Sequence, residues 1–305
     1  MPSTLTYSLL AAAAASSAQL AAAARRVNWY LSAGQIASNT MLVADHGDAI
    51  SGAYLCCGFG GIGADGSWAS VPTATALAQQ APLTAAAPPR EVWHVAGVSE
   101  LAVRSGAWSR GLPAAAAALA PLAAAGLRGV VVDYEPSDNY TQAHARAYGA
   151  FLGGLAAALA PHNLSVAMDI AGWGVLGAQF WPEYSGRGLA RFTSMTPTYD
   201  AANLTENRVF VEAALAALPA GTFAAGVGTV LTDETRCGKG MKYLWNSSTF
   251  PPFVDFLATA GVETVDVWRC DIDSPYPAPD PTAPWYFDAL ARFLSAAAQI
   301  SERER

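Results

Sequence analysis

Two acidic residues, Asp133 and Glu135, close a short β-branched run, Gly129-Val-Val-Val-Asp-Tyr-Glu135. Side chains alternate along a strand, so Gly129, Val131, Asp133 and Glu135 share one face, with the carboxyl-bearing positions about 6–7 Å apart. Two carboxyls on one face of an apolar interior cannot both ionise freely, because desolvation and mutual repulsion raise at least one pKa. A carboxyl that keeps its proton near neutrality can serve as a general acid. Glu135, nearer the strand end, is the better acid, and Pro136 ends the strand and stiffens the loop that aims it. The competing reading is an ion pair with a neighbouring strand, for which His94 and Arg269 are the main basic candidates.

A face of this kind needs a scaffold with an inward side. Eight β-rich runs recur along the chain: Arg26–Leu31, Gly52–Cys57, Glu91–Ala96, Gly129–Tyr134, Leu164–Ile170, Phe192–Thr198, Thr222–Val227 and Thr264–Arg269. Ala/Leu-rich segments between them predict helices over Ser38–Asp45, Ala74–Ala81, Leu112–Ala125, Gln142–Ala160, Asn207–Leu218, Pro252–Ala260 and Trp285–Gln299, with Gly126, Gly221 and Gly261 as stop signals. Strands interleaved with helices build a parallel sheet, and eight of them predict a single closed (β/α)8 TIM barrel over residues 25–305. The glycine cluster Gly58–Gly63 follows the second run, but no helix with a suitably placed acidic residue follows it, so it reads as a rim loop and not as a nucleotide cradle. In such a barrel Glu135 stands at the C-terminal mouth with Asp133 one layer deeper.

The run Leu127-Arg-Gly-Val-Val-Val-Asp-Tyr-Glu135 resembles the fourth-strand motif Asp-Gly-x-Asp-x-Asp-x-Glu of the family 18 glycoside hydrolases, the chitinases and endo-β-N-acetylglucosaminidases. Thr198-Tyr199-Asp200 is similar to that family's sixth-strand Met-x-Tyr-Asp, and Trp268 falls on the eighth strand where the family carries a sugar-stacking Trp. The resemblance implies that Glu135 is the acid/base and that the substrate's own 2-acetamido oxygen is the nucleophile. It further implies that Asp133 orients that acetamido group, that Tyr199 and Asp200 hydrogen-bond it, and that Trp268 floors the subsite. Trp29, Tyr30, Trp173 and Trp181 lie near other strand ends and can extend an aromatic sugar-binding cleft or pack in the core, and Asp169 can be a site carboxylate or a helix or turn cap; Tyr30, Trp173 and Asp169 are the ones expected to bind sugar.

Three positions depart from the motif: Arg128 and Val131 stand where it has Asp, and Pro197 stands where the sixth strand has Met. Val131 leaves Asp133 without a relay partner and dries its surroundings, which is expected to raise its pKa. The expected activity is hydrolysis of β-1,4-linked N-acetylglucosamine, in chitin-like oligomers or the N-glycan core. The alternative is a chitinase-like lectin that binds sugar without turnover.

Composition agrees with a folded globular protein. Apolar residues make up 52% and charged residues 13%, enough for a large core, and the net charge of −7 comes without any basic stripe for nucleic acid. His46, His94, His144 and His162 show no ligand spacing and there is no Cys-x-x-Cys, so neither metal nor cofactor is expected. Residues 1–24 carry no charge and read as a signal peptide, while later apolar runs are too short to span a bilayer. Of the 7 Asn residues, Asn139, Asn163, Asn203 and Asn246 open Asn-x-Ser/Thr acceptors, against roughly one expected by chance, which favours a secreted glycoprotein. The protein is expected to act as a monomer. Cys237 and Cys270 can bridge, and the adjacent Cys56 and Cys57 read most simply as buried thiols.

Overall fold

The computed structural model describes residues 25–136, 140–195, 198, 201–229, 245–268 and 284–303, with backbone alone at Cys57, Gly58 and 296–303. The chain alternates strand and helix as its composition pattern predicts. Its strands are β1 (Arg26–Ser32), β2 (Gly52–Ile62), β3 (Trp68–Ser70), β4 (Glu91–Val98), β5 (Leu127–Asp133), β6 (Ser165–Ile170), β7 (Arg191–Ser194), β8 (Phe223–Gly228) and β9 (Thr264–Trp268). The order β1-β9-β8-β7-β6-β5-β4-β2, with β1 also pairing β2, closes eight parallel strands into a barrel. This is the expected (β/α)8 TIM barrel. The run carrying Asp133 is β5, the fourth strand of the barrel.

The glycine cluster is not a rim loop. β2 continues through it to Ile62 and forms a hairpin with the antiparallel β3. A Cβ on Gly61 would lie 2.3 Å from the Gly97 carbonyl oxygen, and one on Gly60 would lie 2.2 Å from that of Ala69. The glycines therefore let three backbones approach more closely than any side chain permits.

Helices α1 (Ile36–His46), α2 (Thr73–Thr84), α3 (Glu100–Ser105), α4 (Leu112–Ala124), α5 (Gln142–Leu159), α6 (Pro182–Ser185), α7 (Leu204–Ala217), α8 (Phe250–Thr259) and α9 (Pro284–Arg303) cover the outside. The short α3 and α6 fall in connections where no helix is expected, because neither is long enough to show a period. Gly126, Gly221 and Gly261 all take positive φ, as stop signals after α4, α7 and α8. Outward residues of the strands pack on this shell. Trp29 stacks on Phe287 of α9 at 5.4 Å, and Trp181 is buried with its indole N–H donating to the Leu176 carbonyl, so both belong to the core.

Candidate active site

The inward residues form layers, and the lowest are more polar than the sequence pattern suggests. Asp266 on β9 is fully buried and accepts hydrogen bonds from Asn28 (2.7 Å), Tyr54 (2.9 Å) and Thr193 (2.7 Å). Arg191 on β7 donates to the Tyr54 hydroxyl, approaches Glu91 at 3.5 Å and lies over the Trp93 ring at 5.1 Å. Burial alone would make this guanidinium easier to deprotonate, yet Tyr54, Asp266 and Glu91 together hold its pKa above the ordinary value. A buried cation thus ties four strands together below the mouth.

Packed with these polar groups is an apolar cluster of Tyr30, Tyr54, Cys56, Trp93, Val95, Val131 and Ala167, against which Trp268 packs half-buried. Val131 is fully buried, so the position beneath Asp133 is hydrocarbon. Tyr30 packs between Tyr54 (ring centroids 4.6 Å apart) and Trp268 (4.9 Å), and its hydroxyl donates to Asp169 Oδ1 at 3.0 Å.

At the mouth β5 ends on Asp133, paired with Gly97 on one side and following Val132, which pairs with Met168 on the other. Tyr134 turns outward, packs on Tyr148 at 4.4 Å and hydrogen-bonds His144 of α5. The strand end is pinned from behind, and Glu135, exposed, is presented to solvent at the mouth. The following loop is braced by Tyr140, whose hydroxyl donates to the Pro136 carbonyl at 2.9 Å.

Three carboxyls therefore meet in this region. Burial pushes the Asp133 pKa up. Burial and then the charge of Asp133 push Glu135 up. Asp169 is pushed furthest, by burial and then by Asp133, with the Tyr30 hydrogen bond opposing. Asp133 Oδ1 is buried without a hydrogen-bond partner among the described residues. The arrangement sets carboxyls that keep their protons to higher pH than ordinary ones beside an aromatic pair, the kind of site that suits general-acid chemistry.

Asp133, Glu135, Asp169, Tyr30 and Trp268 are thus brought to one end of the barrel. Trp173 lies on the loop after β6 and is 41% exposed. Tyr199 and Asp200 lie outside the described residues, as do Arg269 and residues 230–244. His94 is no partner for the acidic pair. It faces outward, stacks on Phe59 at 4.1 Å, and burial lowers its pKa to about 4, so it is neutral. Cys56 is disulfide-bonded, which corrects its reading as a buried thiol; its partner is outside the described side chains.

Arg191 and Asp266 escape the sequence reading. Arg191 falls one residue before the β-rich run that starts at Phe192, although its alternation with Thr193 carries the inward signal; Asp266 is a single acid within a valine-rich run. Tyr140 escapes it too. It is 37% exposed, and its ring covers Gly174, whose added Cβ would meet it at 2.9 Å, next to Trp173.

No protein-family model matches the chain, and no curated protein matches it. Solved structures do. A chitinase from Bacteroides thetaiotaomicron aligns with TM-score 0.65 and 14% identity over 88% of this chain and 96% of that one. A chitinase from Chromobacterium violaceum ATCC 12472 aligns with TM-score 0.62 and 13% identity over 89% and 99%. The spore cortex-lytic enzyme SleL of Bacillus megaterium QM B1551 aligns with TM-score 0.58 and 11% identity over 87% and 73%. The chain has the barrel fold of these enzymes.

Proposed function

We propose that the protein is a glycoside hydrolase of β-1,4-linked N-acetylglucosamine, acting on chitin-like oligomers or the N-glycan core. The observation that carries this reading is the partly desolvated Glu135 at the C-terminal end of β5, its pKa raised beside Asp133. Two of the neighbours described above are named chitinases, which supports the same substrate class.

In this reading Glu135 donates its proton to the departing glycosidic oxygen while the 2-acetamido carbonyl oxygen attacks C1 from the other face. Asp133 accepts the acetamido N–H and offsets the positive charge that develops on the group. Water, deprotonated by the Glu135 carboxylate, then opens the cyclic intermediate and returns the proton. Trp268 stacks on the sugar, over Tyr30. Tyr199 and Asp200 hydrogen-bond the acetamido group, and Trp173 extends the cleft. The test is a pair of oligosaccharides with and without the 2-acetamido group: hydrolysis confined to the first supports substrate assistance, and equal hydrolysis of both rejects it.

A second reading, a sugar-binding barrel without turnover, is favoured by one observation, the hydrocarbon of Val131 under Asp133. It predicts saturable binding of chitooligosaccharide with no product after long incubation. We also propose export, with residues 1–24 as the signal peptide. The disulfide at Cys56 and the exposed Asn163, Asn203 and Asn246 support it. These asparagines also have structural uses: Asn163 takes φ 56°, Asn203 caps α7 and Asn246 closes a turn. A mass loss on enzymatic deglycosylation of protein from a secreting host tests the assignment, and an unchanged mass rejects it.

A further inference from the structure

The β5–β6 ladder pairs Val131 with Ala167 and Val132 with Met168. One step nearer the mouth, this register sets Asp133 beside Asp169 on the same inward face, at the strand spacing of about 4.8 Å. Their outer neighbours in the ladder are Gly97 on β4 and Thr193 on β7, and neither bears a charge. Asp169 is 5% exposed, and its Oδ1 is held by Tyr30. Asp133 Oδ1 is buried with no partner among the described residues, and no ion pair there involves either carboxyl. The inward cation Arg191 is one layer lower and is committed to Tyr54 and Glu91.

We propose that Asp133 and Asp169 hold one proton between them, which makes Asp169 a positioning residue acting on Asp133 from the adjacent strand and not a sugar ligand. Two buried carboxylates side by side without a cation are costly, whereas a carboxyl–carboxylate hydrogen bond carries one charge and satisfies an otherwise orphaned oxygen. Among the described residues, the other groups facing the pair act against a second negative charge or leave it unaffected. They are Glu135 on the same mouth, Asp266 one layer down, and the Tyr148 hydroxyl from α5 behind the sheet. Val131 removes a partner on the strand itself, and Asp169 supplies one laterally. In the proposed hydrolase, whose reading this inference deepens, the Asp169 proton keeps Asp133 aimed while Glu135 gives up and regains its own.

Thermal unfolding of the wild type, Asp133→Asn, Asp169→Asn and the double variant tests the pair without any substrate. Both groups have folded pKa values raised above their unfolded values, so the stability they contribute is present at low pH and is lost as pH rises towards the folded values. At about pH 8 each single variant is expected to unfold about 2–3 °C above wild type, with the double variant little higher than either. At about pH 5 the differences shrink. Gains that add in the double variant, or that are equal at both pH values, overturn the shared proton.

A kinetic arm separates positioning from sugar binding. A carboxamide still donates a hydrogen bond, so Asp169→Asn should keep kcat within about threefold while Asp169→Ala loses more than about tenfold, with KM nearly constant in both. A rise in KM of similar size in both variants overturns the positioning role. An inactive wild type sinks the hydrolase and leaves the thermal cycle readable; an additive cycle in an active enzyme sinks the shared proton alone.

Discussion

Tyr30 on the first barrel strand and Trp268 on the last lie with ring centroids 4.9 Å apart and planes inclined at 56°, so the barrel seam closes under an aromatic floor. Tyr30 is buried and Trp268 is only half covered, and in the proposed hydrolase the indole is the face offered to the sugar. Trp268→Ala should raise KM for chitooligosaccharides about tenfold, or roughly 1.4 kcal/mol, with a smaller change in kcat. Steady-state kinetics across oligomer lengths checks this, and an unchanged KM would remove Trp268 from the subsite.

The pH profile tests the pairing of Glu135 with Asp133. In the proposed hydrolase Glu135 must be protonated to act as the acid, and burial followed by the Asp133 charge raises its pKa, so activity is expected to persist to higher pH than an ordinary Glu allows. Asp133→Asn removes the charge and leaves most of the burial. The residual activity should therefore lose its alkaline limb at a lower pH than wild type. A limb that stays in place would mean that Asp133 does not act on Glu135.

Below the mouth, Arg191 is 4% exposed and lies among Tyr54, Glu91 and Trp93. Replacing it with Met leaves Glu91 with the Trp93 indole N–H and the exposed Arg26, and strips the Tyr54–Asp266 bond of its cationic neighbour. Loss of one member of a buried charged network costs about 3–5 kcal/mol, which urea unfolding would register. A change under about 1 kcal/mol would show that the network is dispensable.

Gly129 is a motif position with a packing reason. A Cβ there would meet the Ser165 carbonyl oxygen at 2.1 Å and the Trp93 ring at 2.7 Å. Gly129→Ala should push β5 away from β6, destabilise the fold by about 1–3 kcal/mol and lower kcat through misplacement of Asp133 and Glu135. Wild-type stability in this variant would contradict the close approach.

Much of this architecture could be read from the chain because it rests on local patterns. Strand alternation in Gly129–Glu135 orients Asp133 inward, and glycines after α4, α7 and α8 mark their ends. The polar floor could not be read so easily, since Asp266 joins Asn28, Tyr54 and Thr193 only once β1, β2, β7 and β9 are assembled. The same holds for the neighbourhood of Asp133 and Asp169, which depends on inter-strand register and leaves no local mark. Gly58–Gly63 misled because glycine is common to loops and to strands whose backbones approach closely.

In the proposed hydrolase Glu135 carries the acid proton, and Glu135→Gln preserves its shape while removing that proton. On an N-acetylglucosamine oligomer hydrolysed by the wild type, the variant should lose at least about a hundredfold in kcat while still binding the sugar. Unchanged turnover in Glu135→Gln, with fold and sugar binding intact, would show that another group supplies the proton.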